Sequence, residues 1–229
     1  MKSLKIFVFG LGILAIPCLA YAQGIIKGHV VFEGAPPASE KVEVKSDVST
    51  CGNQKEVQKL MLGEGQGIAN AVVTLVGGKG ELKPKDGDLD QVECEFVPHL
   101  RVVPLGSTLK ITSSDSVLHN SHGFYEDGST AFNLAVPIVG MEVNFKTKQP
   151  GLIKLRCDAG HTWMSAYVMV TDTPYYAVTD SNGNFTLEGI PPDDYEIEVW
   201  QEWLGKHREP IKIEEGEQPF SITLKKESL

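Results

Sequence analysis

Short stretches rich in Val, Ile, Thr and aromatic residues alternate along this chain with clusters of Gly, Pro, Asn and Asp. Helical periodicity is slight beyond a possible turn at 55–60, so period-2 patterning between turn signals predicts an all-β sandwich. The clearest strand-like runs are 25–32, 71–76, 100–103, 108–112, 141–145, 152–156 and 166–170. Residues 77–91, with four glycines and several charges, read as an exposed loop or linker.

The first 22 residues have a different pattern. Lys2 and Lys5 precede an apolar stretch from Ile6 to Ile16, and Ala20-Tyr21-Ala22 supplies a small-residue cleavage site. This is the layout of a secretory signal, expected to be cut after Ala22. The apolar stretch is short for a membrane span, and no later segment is expected to span a bilayer. Export to the periplasm is the first expectation, with the cell surface or secretion as alternatives. Cleavage removes two lysines and no acid, leaving 19 basic against 30 acidic side chains, a net charge of −11. Such a surface disfavours nucleic acid and anionic membranes as partners. It suits a protein with a basic docking face, such as a c-type cytochrome, because complementary charge speeds encounter.

Three cysteines follow the signal: Cys51, Cys94 and Cys157. In an oxidising compartment an odd count leaves one thiol over. The economical assignment pairs Cys51 with Cys94 and keeps Cys157 reduced; pairing of Cys157 with either of the others is the alternative.

Cys157 has company that the other two lack. In Cys157-Asp-Ala-Gly-His161-Thr-Trp-Met164 a thiolate, an imidazole and a thioether lie within reach of one ion. Soft sulfur with imidazole suits copper, and two His with one Cys and a weak axial Met form an electron-transfer set. His119, in Leu118-His119-Asn120, supplies the second imidazole. The expected site therefore holds one copper ion on His119, Cys157, His161 and Met164. Each residue has a blander reading: Met164 as a core filler, His161 as a loop residue, His119 as a locally bonded strand-end residue.

Phe96-Val-Pro98, the run 102–111 with its Pro-Leu-Gly106 turn, Asp115 and His119-Asn120 resemble the first half of a cupredoxin. Val143-Asn-Phe145, Pro150-Gly151, the Cys157 loop and the closing run 166–170 resemble the second. The resemblance covers 92–172 and implies a Greek-key β-sandwich. The loop is most similar to the latter part of the copper-A loop of cytochrome oxidase, Cys-x3-Cys-x3-His-x2-Met. Ile153 stands where that family has its first Cys, so a mononuclear site is implied. In plastocyanin-like loops the Met lies further beyond the His, which leaves the axial role of Met164 open. Asn120 is similar to the cupredoxin residue that braces the Cys loop near the sulfur.

Residues 173–229 resemble a carboxypeptidase regulatory-like, transthyretin-type β-sandwich, through Asp180-Ser-Asn-Gly183-Asn-Phe185 and Gly189-Ile-Pro191-Pro192-Asp-Asp-Tyr195. The opening patterns of that family occur at Gly28-His-Val30 and Ala71-Val-Val-Thr-Leu75, so residues 24–76 are expected to pack with 174–226. The alternative gives 71–76 to the copper unit. The combination resembles exported plastocyanin-like proteins of the methylamine-utilisation type.

His99, His122 and Trp163 are candidates for groups around the ligands, with surface or core roles as alternatives. Electron entry is expected at an exposed edge of a ligand histidine near Trp163. Glu202, between Trp200 and Trp203, has no partner visible in the sequence. No Gly-rich phosphate loop, Gly-x-Ser-x-Gly or His-Glu-x-x-His is present. The expected function is single-electron transfer rather than catalysis. A copper carrier or store, or a metal-free interaction module, are the alternatives.

Overall fold

A computed structural model describes residues 23–226 of the chain, so the expected signal at 1–22 lies outside the described residues. The described chain is nearly all β, and its strands build two sandwiches.

The first sandwich has a five-stranded sheet in the order Thr130–Val136, His119–Tyr125, Gly151–Arg156, Ser165–Thr171, Leu100–Pro104. Its partner sheet runs Val143–Lys146, Thr108–Ile111, Gly87–Val92, Glu95–Val97. Leu109, Ile111, Leu89 and Phe96 from the smaller sheet meet Ile153, Leu155, Ala166 and Val168 from the larger in one core. The strand Gly151–Arg156 shows the cause: Ile153 and Leu155 point inward while Lys154 and Arg156 stay exposed.

The second sandwich draws on both ends of the described chain. Gly24–Phe32 lies between Asn184–Ile190, antiparallel, and Gly216–Leu224, parallel. Val72–Val76 pairs with Tyr176–Val178 and with Asp193–Gln201, which continues into Gly205–Ile213. Ile26, Val30, Val73, Leu75, Leu187, Ile197 and Val199 share its core. Gly28 has to be glycine, because the Phe185 ring occupies the space a β-carbon would need. The two sandwiches meet through Val72, Leu100, Leu152, Met169 and Trp200.

A hairpin, Glu40–Glu43 with Gln54–Val57, carries the one-turn helix Val48–Cys51 at its tip. Its Val44 and Cys51 are buried in the first sandwich's core. The expected turn at 55–60 is therefore displaced: Gln54–Val57 is a strand, and the helical turn falls seven residues earlier, at Val48–Cys51. The expected linker 77–91 also ends early, since Gly87–Val92 is a strand with Gly87, Leu89 and Gln91 buried. Asp86, Asp88 and Asp90 disguised that alternation. Among the described residues no helix is long and apolar enough to cross a membrane.

Candidate metal centre

Cys157 follows the strand Gly151–Arg156, and its loop returns through His161 and Met164 into Ser165–Thr171. His119 opens the adjacent strand His119–Tyr125, which pairs with Gly151–Arg156. Strand pairing thus brings the upstream histidine beside the loop. Ligand atoms of His119, Cys157 and His161 all lie within 4.8 Å of one another, and all three residues are buried.

Orientation of the rings narrows the chemistry. Cys157 Sγ lies 3.7 Å from His161 Nδ1 and 4.0 Å from His119 Nδ1. The far nitrogens face carboxylates: His119 Nε2 donates to Asp115 Oδ2 at 2.8 Å, and His161 Nε2 to Asp47 Oδ2 at 3.0 Å. An ionised carboxylate only accepts, so each ring carries its proton on Nε2 and turns the Nδ1 lone pair toward the sulfur. Burial holds the His119 ring below its ordinary pKa, against the hydrogen bond it donates to Asp115, which raises it, and so favours the neutral ligand form.

The spacing fits an ion. With bonds of about 2.3 Å to sulfur and about 2.0 Å to nitrogen, a trigonal ion separates sulfur from nitrogen by about 3.7 Å. His161 matches this at 3.7 Å, while His119 stands somewhat further off at 4.0 Å. One thiolate and two imidazole nitrogens converging in this way are donors of the kind copper takes. Met164 is buried beside them, its N–H bonded to the His161 carbonyl at 3.0 Å.

Surrounding groups hold this arrangement. The Asn120 N–H points at Cys157 Sγ at 3.4 Å, and Asn120 Oδ1 accepts from the Asp158 N–H at 3.2 Å. Asn120 therefore braces the Cys loop at two points. Trp163 is buried, its ring 5.4 Å from that of His161, and its Nε1–H donates to the Cys94 carbonyl at 2.9 Å. A disulfide joins Cys51 to Cys94 and leaves Cys157 free.

That disulfide links the two carboxylate braces. Asp47 begins the turn that carries Cys51, and the Cys51 N–H donates back to the Asp47 carbonyl. On the other side, Asp115 accepts from the N–H groups of Glu93 and Cys94 at 2.7 Å each while it holds His119. The sequence reading missed Asp47 altogether. Asp115, four residues before His119, was visible as spacing, but its role was not.

The other candidates lie apart from the donors. His122 Nδ1 contacts Asp158 at 2.6 Å and its Nε2 contacts Thr130, so it props the loop from outside. His99 Nε2 meets Glu202 Oε1 at 2.8 Å, which gives Glu202 the partner the sequence did not reveal. Burial pulls the His99 pKa down, but the hydrogen bond and charge of Glu202 outweigh it and leave it raised. The expected exposed histidine edge is absent: both ligand-candidate rings are 0% exposed, because the hairpin carrying Asp47 folds over His161 and Asp115 backs His119.

No family model matches the chain, and no curated protein matches it. Among solved structures, a purple cupredoxin from Nitrosopumilus maritimus aligns over 38% of this chain and 100% of its own, at 23% identity and TM-score 0.33. A Cu-containing nitrite reductase from Thermus scotoductus SA-01 aligns over 43% of this chain and 25% of its own, at 18% identity and TM-score 0.33. A reduced Cu(I) form of an amicyanin variant aligns over 43% of this chain and 98% of its own, at 17% identity and TM-score 0.33.

Proposed function

We propose that this chain is an exported protein that holds one copper ion on His119 Nδ1, Cys157 Sγ and His161 Nδ1, with Met164 as a weaker fourth donor. The observation that carries the reading is the orientation of the two imidazoles, each tied at Nε2 to a carboxylate and aimed by Nδ1 at one free buried thiol. Copper in such a set gains and loses single electrons with little rearrangement of its donors.

The protein's own groups supply the rest. Asp47 and Asp115 fix the tautomer and aim of the rings, the Asn120 N–H steadies the sulfur, and burial keeps water from the donors. Full burial of both imidazoles supports a resident ion that transfers electrons over an exchangeable cargo ion. The enclosed donor set, with Met164 beside it, supports a carrier rather than an enzyme. The Cys51–Cys94 disulfide supports residence in an oxidising compartment such as the periplasm.

Copper titration followed by visible absorption and electron paramagnetic resonance tests this. An intense thiolate-to-copper band that saturates at one ion per chain, and is lost in Cys157→Ser, is the expected outcome. A protein that stays colourless with Cys157 reduced and copper in excess would overturn the reading.

A further inference from the structure

With the imidazole edges closed, the loop that carries Cys157 and His161 meets the surface at a cavity of about 240 Å³ lined by its Trp163 and Met164. His99 and Glu202 meet on its wall, 103 residues apart in sequence and drawn from the two sandwiches. Glu56 and Glu95 stand exposed on its rim beside Met61, itself 40% exposed. Lys55 also lines the space, but its ammonium is committed to Glu95 Oε1 at 3.0 Å and to the Glu93 carbonyl. That pairing offsets Glu95 as well, and the carboxylates left, Glu56 and Glu202, keep the lining net negative even with His99 protonated, which favours a cation. Phe96 and Trp163 add aromatic surface against which an ammonium or guanidinium can rest.

We infer that this cavity docks a lysine or arginine side chain from the basic face of a partner protein. Its volume suits one long side chain rather than a segment of chain. The exposed Met61 rim and the formal charge of −9 extend the complementarity beyond the cavity, which a protein face exploits and a small cation does not. That the partner exchanges electrons rests on the proposed function; the docking itself requires no metal.

The test uses the metal-free protein and a lysine-rich c-type cytochrome, by titration calorimetry at low ionic strength with the Trp163 indole N–H followed by NMR. Binding that shifts the Trp163 resonance and fades with salt is expected. Glu56→Lys and Ser165→Trp, the latter filling the cavity, should each weaken binding tenfold or more, while Glu215→Lys on the second sandwich should not. If Ser165→Trp fails to fold by circular dichroism, Gln58→Trp fills the same space from the rim. Equal weakening by Glu56→Lys and Glu215→Lys, with no effect of filling, would reduce the attraction to diffuse charge and overturn the site. Binding of butylammonium without binding of the cytochrome would likewise overturn a protein partner. Because no copper is present, failure here is distinct from failure of the copper titration.

Discussion

Asp47 Oδ2 lies 3.0 Å from His161 Nε2, although 114 residues separate the two in sequence. The contact fixes which imidazole nitrogen is free, and it comes from a hairpin that would otherwise be an appendage. Carboxylates that brace a metal-binding imidazole typically account for tenfold to hundredfold in affinity. Asp47→Ala is therefore expected to weaken copper binding by roughly that factor. Competition with a chelator of known affinity measures it, and an unchanged constant would remove Asp47 from the site.

Reduction of the Cys51–Cys94 disulfide should act on the same brace. Its sequence separation of 43 corresponds to about 4 kcal/mol of loop-closure stabilisation. Denaturant unfolding of the Cys51→Ser/Cys94→Ser variant should show a loss of that order. Copper should also leave the variant faster than the parent, since Asp47 is no longer tied to the Cys94–Asp115 side.

Met164 is tested by Met164→Leu, which conserves volume at a buried position and should cost less than about 1.5 kcal/mol. If the thioether is a donor, cyclic voltammetry will register a changed reduction potential while the fold persists. An identical potential would assign Met164 to packing alone.

His99 offers a pH signature. Its folded pKa is raised above the ordinary 6.5, with Glu202, Glu95, Lys55 and Tyr167 around it. A raised basic group contributes stability that is complete below its unfolded pKa and lost as pH rises through its folded pKa. Stability should therefore decline on going from acid toward pH values above the folded His99 pKa, and His99→Gln should flatten that part of the profile. Urea unfolding across the range is the measurement; parallel curves for the two proteins would contradict it.

Trp200 anchors the junction between the sandwiches, 5% exposed and 5.2 Å from the Tyr167 ring. Trp200→Ala should cost about 3–5 kcal/mol. Calorimetry should then show the single unfolding transition broaden or divide as the two sandwiches uncouple.

Much of this was legible in the residues, because alternation has a period of two and turn residues mark its ends. The inward Ile153 and Leu155, the β-rich class and the ligand-like spacing of Cys157, His161 and Met164 are local properties. The Gly87–Val92 strand escaped notice because Asp88 and Asp90 within it, and Asp86 just before it, broke its apolar reading, although its alternate residues are buried. The helical turn escaped because Val48–Cys51 is a single turn and is held by the disulfide more than by propensity.

The sequence by itself supplied the candidate donors: a thiol beside an imidazole and a thioether, with a second imidazole upstream. Only the tertiary structure decided which nitrogens face the sulfur, that Asp47 and Asp115 hold them there, and that Glu202 meets His99. Each of those contacts joins residues on different elements, and sequence spacing carries no record of which strands and loops come to lie side by side. That placement comes from the burial of two apolar cores and from the strand pairings that close around them.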